Sequence, residues 1–367
     1  MGLRQSLMKT RLYGMYRKYP LYPELRRYIL TIHKYKKEAK AVFVSGKAPG
    51  GSWADYKDAM KKHMVSVNEY LYSYEYWKLD EPGRDAFISN HEMSSIVRKS
   101  ENWAVWQTFW DKAAFLRRFQ PYVSREWLVP KESSFEAFAR LVESKDCVVK
   151  PLKSTHGDGV YKLKKVAPGD TRKLYDELRK KDVILEEHIR SCDEINEFHP
   201  HSLNTIRVVT FSNNERSIPF GALLRIGAHG SFLDNTHAGG VFAPIDIETG
   251  RLSMEGIDTN GNRYEFHPDS GKRIKDFQIP HWDEVLKTCQ EASLVMPGTF
   301  FAGWDICIRE NGKVEIIEGN GTPDFDGGMQ APFKIGVKDK VRQLFKELHG
   351  FDPMSLTKWY SKAHFTE

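Results

Sequence analysis

The sequence predicts an α+β fold with a mostly helical N-terminal region. Apolar residues recur at helical spacing through much of residues 1–100, whereas after about residue 102 short β-rich runs alternate with helical ones. A third observation is the pair of β-rich runs flanking Asn311-Gly312, a strong signal for a tight hairpin. Together these favour an α+β architecture over a parallel, doubly wound sheet.

In chain order, Leu21 to Tyr35 and Asp55 to Trp77 have helical spacing, and Ala48-Pro49-Gly50-Gly51-Ser52 breaks the chain between them. Met60, Met64, Tyr70, Tyr74 and Trp77 make a stripe that reads as core rather than as a ligand box. Glu81-Pro82-Gly83 marks another stop. Helices are expected around Lys112 to Leu116, at Phe135 to Leu141 and at Arg172 to Lys180. Strands at Glu126 to Val129, Cys147 to Pro151, Gly159 to Leu163 and Val183 to Glu187 alternate with them. Further strands near Thr205 to Phe211, Gly221 to Ile226 and Val241 to Ile247 precede a helix at Trp282 to Met296, the hairpin, and a last helix at Lys338 to Leu348 that closes the second lobe. The resulting partition is a basic helical region (1–100), a first subdomain (101–189), a second subdomain (190–350) and a tail (351–367).

With 367 residues, 40% hydrophobic and 28% charged, the chain has the make-up of an ordinary water-soluble protein with room for two or three lobes. No run of about 18 apolar residues occurs, so no membrane span is expected. Met1 to Leu7 lacks the apolar core of a signal peptide. Cys147, Cys192, Cys289 and Cys307 are widely spaced, which argues against a disulfide framework and makes a reducing cytoplasm the expected setting. The net charge of +6 is concentrated: residues 1–50 hold 12 Lys and Arg against Glu24 and Glu38, leaving the rest slightly acidic. That segment is either a solvated face of helices or a contact for an anionic partner, such as a membrane surface or an acidic glycan precursor. No nucleic-acid-binding motif is present, and no such partner is expected.

The hairpin carries the strongest chemistry. If Asn311-Gly312 forms a two-residue type I′ turn between Glu310 and Lys313, Asp305 lies directly across from Glu318 and Gly303 from Asn320. Alternation then puts Asp305, Glu318 and Asn320 on one face, with Gly303 leaving open space beside them, and Ile306 and Ile308 on the other. Like charges directly opposite repel unless a cation lies between them, and hard oxygen donors of this kind suit Mg²⁺. The alternative is a pair of solvated acids on an outer face, against which bulky Phe301 and Cys307 on the same face argue.

Val148 to Val160 reads as a strand, a polar glycine-bearing loop and a second strand. Lys150, Lys153, Ser154, Gly157 and Gly159 give it the charge, hydroxyl donor and backbone freedom to cradle phosphate, although a surface hairpin loop has the same composition. It is not a P-loop, because the lysine and glycine spacing of that motif is absent. Val183 to Ile189 is an apolar strand ending in Glu186 and Glu187, either an ordinary strand or one whose backbone edge reads adenine beside an apolar slot. Asp193 or Glu194, shortly after it, can accept ribose hydroxyls. Arg207 and Arg225 sit in largely apolar strands, where a guanidinium needs an anion: a transferred phosphate, a substrate carboxylate or a structural Asp or Glu. Asp234 to Gly240 offers a polar hinge beside Arg225, and His237 within it reads as a loop histidine because no nucleophile pairs with it.

Taken in order, these pieces resemble the ATP-grasp superfamily and, more narrowly, its sugar-transfer-associated group. Tubulin-tyrosine-ligase-like and D-alanine-D-alanine-ligase-like enzymes are distantly similar. The resemblance covers roughly residues 100–350. It rests on the Asp305, Glu318 and Asn320 signature, on Lys150 ahead of a glycine loop, on Glu186-Glu187-His188-Ile189, and on the His199 to Thr210 run, which is closest to the narrower group. It implies an ATP-grasp fold in which two α+β subdomains clasp a nucleotide. By resemblance, Lys112 and Lys150 touch ATP phosphates, Ser154 to Gly159 folds over them, and Glu186 and Ile189 border adenine. Arg207 and Arg225 steady the transferred phosphate, and Asp305, Glu318 and Asn320 hold two Mg²⁺ with Glu318 bridging. The ribose acid is ambiguous among Asp193, Glu194 and Glu197. The first 100 residues do not resemble the α/β domain that usually precedes this fold.

The implied activity is an ATP-dependent carboxylate–amine ligase. A carboxylate takes the γ-phosphate to give an acyl phosphate, and an amine displaces phosphate to form an amide. The same association suggests a polysaccharide or sugar-derived precursor as the acid or amine. A kinase on the same fold and a non-catalytic ATP-binding scaffold are the alternatives.

Overall fold

The computed structural model describes residues 22–100, 103–154, 157–230, 239–258, 261–323 and 329–358. The chain divides into two units, residues 1–100 with 329–367, and residues 101–328.

In the first unit a helix at Tyr22–Val44 precedes one at Trp53–His63. Ser52 caps the latter by accepting from the Asp55 amide, and Met64, at φ +54°, ends it. The expected single helix from Asp55 to Trp77 is therefore broken. Ser66 and Glu69 form a reciprocal capping box that starts a fresh turn at Glu69–Ser73, and Glu75 takes another positive φ before Tyr76–Lys78. Packing explains the break, because it lets Tyr70, Tyr74 and Tyr76 join Tyr56, Met60 and Phe87 in one buried cluster, with Trp77 at its margin. Glu81-Pro82-Gly83 is not a stop either: Asp80 caps a short helix, Glu81–Asp85, in whose first turn Pro82 forfeits no hydrogen bond. The helix Lys338–His349 belongs to this unit rather than closing the second subdomain. Gln330 bonds the Ile88 backbone and the Tyr74 hydroxyl, and Lys338 pairs with Glu92, which holds the C-terminal segment here. The part of the basic segment before Tyr22 lies outside the described residues.

The second unit holds two antiparallel sheets. Strands β1 (Trp127–Leu128), β2 (Cys147–Pro151), β3 (Tyr161–Leu163) and β4 (Val183–Glu187) form the smaller, in the order β1-β4-β2-β3. Helices Phe135–Ser144 and Pro168–Leu178 pack Phe138, Leu141, Tyr175 and Leu178 onto Cys147, Val149, Val183 and Leu185. Alternation sends Lys150, Ile184 and Glu186 to the opposite face.

The larger sheet comprises β5 (Thr205–Ser212), β6 (Ser217–Ile226), β7 (Val241–Ile245), β8 (Gly256–Ile257), β9 (Arg263–Tyr264), β10 (Phe301–Ile308) and β11 (Val314–Asn320). Its order is β11-β10-β5-β6-β7-β8-β9. The helix Trp282–Ser293 packs on its apolar face through Trp282, Val285, Cys289 and Ala292, against a cluster that includes Val208, Leu224, Trp304 and Ile306. All four cysteines are free and buried. Among the described residues no helix is long and apolar enough to cross a membrane.

Candidate active site

Strand register lines up the charged groups. β10 sets Asp305 directly opposite Glu318 on β11 and directly opposite Arg207 on β5, so the three form one row across the sheet, about 4.8 Å from strand to strand. Arg225 on β6 pairs with Thr205 and is therefore diagonal to Arg207. Arg207 donates to both oxygens of Asp305, at 2.5 and 2.9 Å, and Arg225 donates to Asp305 Oδ2 at 3.0 Å. Of the anions that the two arginines were expected to meet, the structural carboxylate is the one found. Asp305 is only 3% exposed, which excludes a solvated outer face for it.

The Asp305–Glu318 pairing arises by a different route from the one expected. The loop is not a two-residue type I′ turn but three residues, Glu310 to Gly312, closed by Arg309 and Lys313, with Gly312 at φ +77°. That places Ile306 opposite Ile316, and a β-bulge at Ile317 adds one residue back, restoring Asp305 opposite Glu318 and Gly303 opposite Asn320. The two departures cancel. Gly303 does not leave open space: a Cβ there would lie 2.6 Å from Pro323 Cβ and 3.1 Å from Arg207 Cδ, so the missing side chain is what admits both neighbours. Beneath Glu318 and Asn320, a Cβ on Gly319 would lie 2.4 Å from Phe115 and 2.6 Å from Phe109. Those rings surround Trp304, and Phe109 comes from a helix, Trp103–Trp110, that the spacing of apolar residues did not reveal.

Burial pushes the Asp305 carboxyl up, but the two guanidinium charges and the Arg207 hydrogen bond outweigh it and hold Asp305 at about 2. Glu318 moves the other way. Enclosure by protein atoms and the neighbouring Asp305 charge raise it, against the pull of Lys150, Arg207 and Lys112. Its side chain is nevertheless exposed to solvent, so a cation can reach it. The donor chemistry fits a hard divalent ion at Glu318, which has no ion-pair partner among the described residues, whereas Asp305 has two. Asn320 offers an amide oxygen that already accepts from the Thr322 amide at 2.9 Å. Among the described residues no group of three or more His, Cys, Asp and Glu is arranged to hold a metal, so such a site rests on Glu318 together with oxygens that have other partners.

The lysines reach the same neighbourhood. Lys150 on β2 meets Glu186 on β4, its diagonal neighbour, at 2.9 Å. Asp111 caps the helix Lys112–Arg118, and the Lys112 amine donates to the Ser154 carbonyl at 2.9 Å and lies 3.3 Å from its hydroxyl. Burial lowers Lys112; Glu318 opposes the fall and Lys150 adds to it. Lys153 is exposed, 3.7 Å from Asp111. Gly157 and Gly159 have φ of +79° and +74°, a backbone that side chains resist, while Thr155 and His156 lie outside the described residues.

Beyond β4 the expected residues diverge. Burial pushes Glu186 up, but Arg125 and Lys150 hold it at about 2. Glu187 accepts from the Glu126 amide and pairs with Lys145 and Arg309, so its side chain is tied into the fold. Ile189 is buried. Asp193 and Glu194 are exposed on the helix Asp193–Asn196, and Glu197 is engaged by Lys272 at 2.6 Å. In the His199 to Thr210 run, the Ser202 hydroxyl and the Gly227 amide both donate to Asn204, and His199 Nδ1 lies 2.9 Å from that hydroxyl, which anchors the chain just beyond Arg225. His237, with Asp234 to Ala238, lies outside the described residues. Two residues were missed. Glu315 had a signal, an acid within an apolar strand; Arg125, in a loop before β1, had none.

The profile of the family described as sugar-transfer associated ATP-grasp matches residues 125–344. No curated protein matches the chain. Solved structures that align with it include N5-carboxyaminoimidazole synthase from Aspergillus clavatus with ADP and an aminoimidazole ribonucleotide (8% identity, TM-score 0.40, 69% of this chain and 57% of that one). Others are the ATP-grasp ligase PsnB with a minimal precursor (16%, 0.38, 64% and 59%) and N5-carboxyaminoimidazole synthetase from Staphylococcus aureus with ADP (10%, 0.40, 69% and 57%). The chain spans less than two thirds of the length of each.

Proposed function

Because the chain belongs to the sugar-transfer-associated ATP-grasp family, we propose that it is an ATP-dependent carboxylate–amine ligase that forms an amide through an acyl phosphate. The observation that carries this reading is the row Glu318, Asp305 and Arg207, with Lys112 and Lys150 in the same electrostatic neighbourhood. Phosphoryl transfer to a carboxylate needs charge neutralisation and alignment more than a protein nucleophile. Lys112 and Lys150 hold phosphate oxygens, Lys150 exchanging Glu186 for the nucleotide. Ser154, Gly157 and Gly159 close the loop over it, and Lys153 adds charge. The chain from Glu186 through Glu187 to Ile189 borders adenine, with Asp193 or Glu194 on the ribose. Arg207 and Arg225 exchange Asp305 for the transferred phosphate or the substrate carboxylate, both of which offer the same planar or forked oxygens. Asp305, Glu318 and Asn320 would hold Mg²⁺, two ions in all. When bound, the metal neutralises phosphate charge.

The acid or amine belongs to a polysaccharide or sugar-derived precursor, and the setting is the cytoplasm. The helix Tyr22–Val44 supports an anionic surface as a further partner: exposed Arg26, Arg27, Lys34, Lys37 and Lys40 share one side, opposite the packed Ile32, Tyr35 and Ala39.

The reaction is tested with purified protein, ATP, Mg²⁺ and candidate acids and amines. Amide with free phosphate is expected; a stable phosphorylated product makes the protein a kinase, and bound ATP without turnover of any pair makes it a scaffold. Glu318→Gln should keep the fold while lowering ATP turnover by about 10²-fold or more. Mg²⁺ should raise the thermal midpoint of the wild type at neutral pH but not that of the variant. Unchanged turnover in Glu318→Gln sinks the assignment.

A further inference from the structure

We infer that Arg125 is the positioning residue of this nucleotide site, setting Lys150 through Glu186 and Glu318 through the bulge that precedes it. The roles of Lys150 and Glu318 in this inference rest on the ligase reading; the geometry does not.

Arg125 stands just before β1, is 4% exposed, and uses its guanidinium on three sides. Its Nε donates to Glu186 at 2.5 Å. One terminal nitrogen donates to Glu315 at 2.5 Å and to the Ile316 carbonyl at 2.8 Å, and the other donates to the Ile317 carbonyl at 2.9 Å. Glu315 is held in turn by the Arg125 amide and the Ser124 hydroxyl.

Each contact has a structural cause. The bulge at Ile317 interrupts the ladder between β10 and β11, and a bulge leaves backbone groups without their usual strand partners. Arg125 supplies donors to carbonyls at that interruption. Glu318 follows Ile317 directly, so the direction in which its carboxylate leaves the strand depends on a bulge that Arg125 holds. On its other side, Glu186 gives Oε2 to Arg125 and Oε1 to Lys150, at 2.9 Å. A carboxylate shared between two cations grips neither at full strength, which leaves Lys150 free to exchange Glu186 for a phosphate. A lysine at position 125 has one donor nitrogen and cannot span Glu186, Glu315 and the bulge together.

The test uses full-length Arg125→Met, Arg125→Lys and the double variant Arg125→Met, Glu186→Gln. Acetylation of Lys150 by acetic anhydride, without nucleotide and mapped by mass spectrometry, should slow several-fold in Arg125→Met, where Glu186 keeps only Lys150. It should recover in the double variant. In Arg125→Lys the Mg²⁺ concentration for half-maximal turnover and the KM for ATP should rise about ten-fold while kcat changes less, as losing a residue that orients metal ligands predicts. A purely structural role lowers the thermal midpoint but leaves Lys150 labelling, Mg²⁺ requirement and KM at wild-type values, and that result overturns the inference. If Arg125→Met does not fold, the Arg125→Lys kinetics decide alone. A wild-type protein that neither binds nor turns over ATP defeats the ligase reading instead, and the labelling still decides whether Arg125 sets Lys150.

Discussion

Glu186 and Glu318 lie in one electrostatic neighbourhood and are held in opposite directions, and the number of cations each touches is the reason. Glu186 has Arg125 and Lys150 within hydrogen-bond distance and is held at about 2 despite burial; Glu318 faces Asp305 and is raised. A depressed acid stabilises the fold fully above its unfolded value, here 4.5, and that contribution is lost as pH falls towards 2. It is on the order of 3 kcal/mol at neutral pH. Urea midpoints measured from pH 7 down to pH 2 should therefore fall more steeply in the wild type than in Glu186→Gln; parallel profiles would contradict the assignment. Arg207 and Arg225 show where reading single residues stops. Their apolar surroundings announced the need for an anion, but only the alignment of β5 with β10 selects Asp305 from the possible partners.

The hairpin shows how an element can be anticipated for an imperfect reason. Asn311-Gly312 marked the turn, yet the loop is one residue longer than a type I′ turn, and the bulge at Ile317 compensates. A bulge depends on what packs beside it, here Arg125, so no local pattern announces it. β2 and β4 have the spans expected from their apolar runs, because alternation is a property of neighbouring residues. The pairing of Asp305 with Arg207 joins residues 98 apart in the chain and is invisible at that scale. Gly319 links the element to the site. Gly319→Ala should cost about 1–3 kcal/mol by overpacking Phe115 and Phe109. It should also lower ATP turnover by moving Glu318 and Asn320, both measurable by denaturant unfolding and steady-state kinetics on the folded protein.

At the scale of the molecule, the unit that contains the N-terminal helices is completed by residues from the far end of the chain. Gln330 satisfies buried backbone groups at Ile88, and Lys338 pairs with Glu92. Removal of residues 329–367 should therefore reduce amide protection around Tyr74 to Ser100 in hydrogen exchange while residues 127–320 keep theirs; the reverse pattern would refute the division. The basic side of Tyr22–Val44 gives a second expectation. The protein should sediment with phosphatidylserine-containing vesicles but not neutral ones, with binding that weakens as salt rises and disappears when Arg27, Lys34 and Lys37 are replaced by Glu. Binding insensitive to those changes would mark the side as merely solvated.

The sequence by itself determined the mixed α+β class, the order of most strands and helices, the family, and the two acids that face each other across the hairpin. All of these depend on short-range spacing or on motifs contiguous in the chain. Tertiary structure alone decided that Arg207 and Arg225 rest on Asp305, that the C-terminal helix joins the N-terminal unit, and that Arg125 binds the bulge to Glu186. Each is a contact between segments distant in sequence, selected by which buried charges and carbonyls must find partners once the sheets have formed.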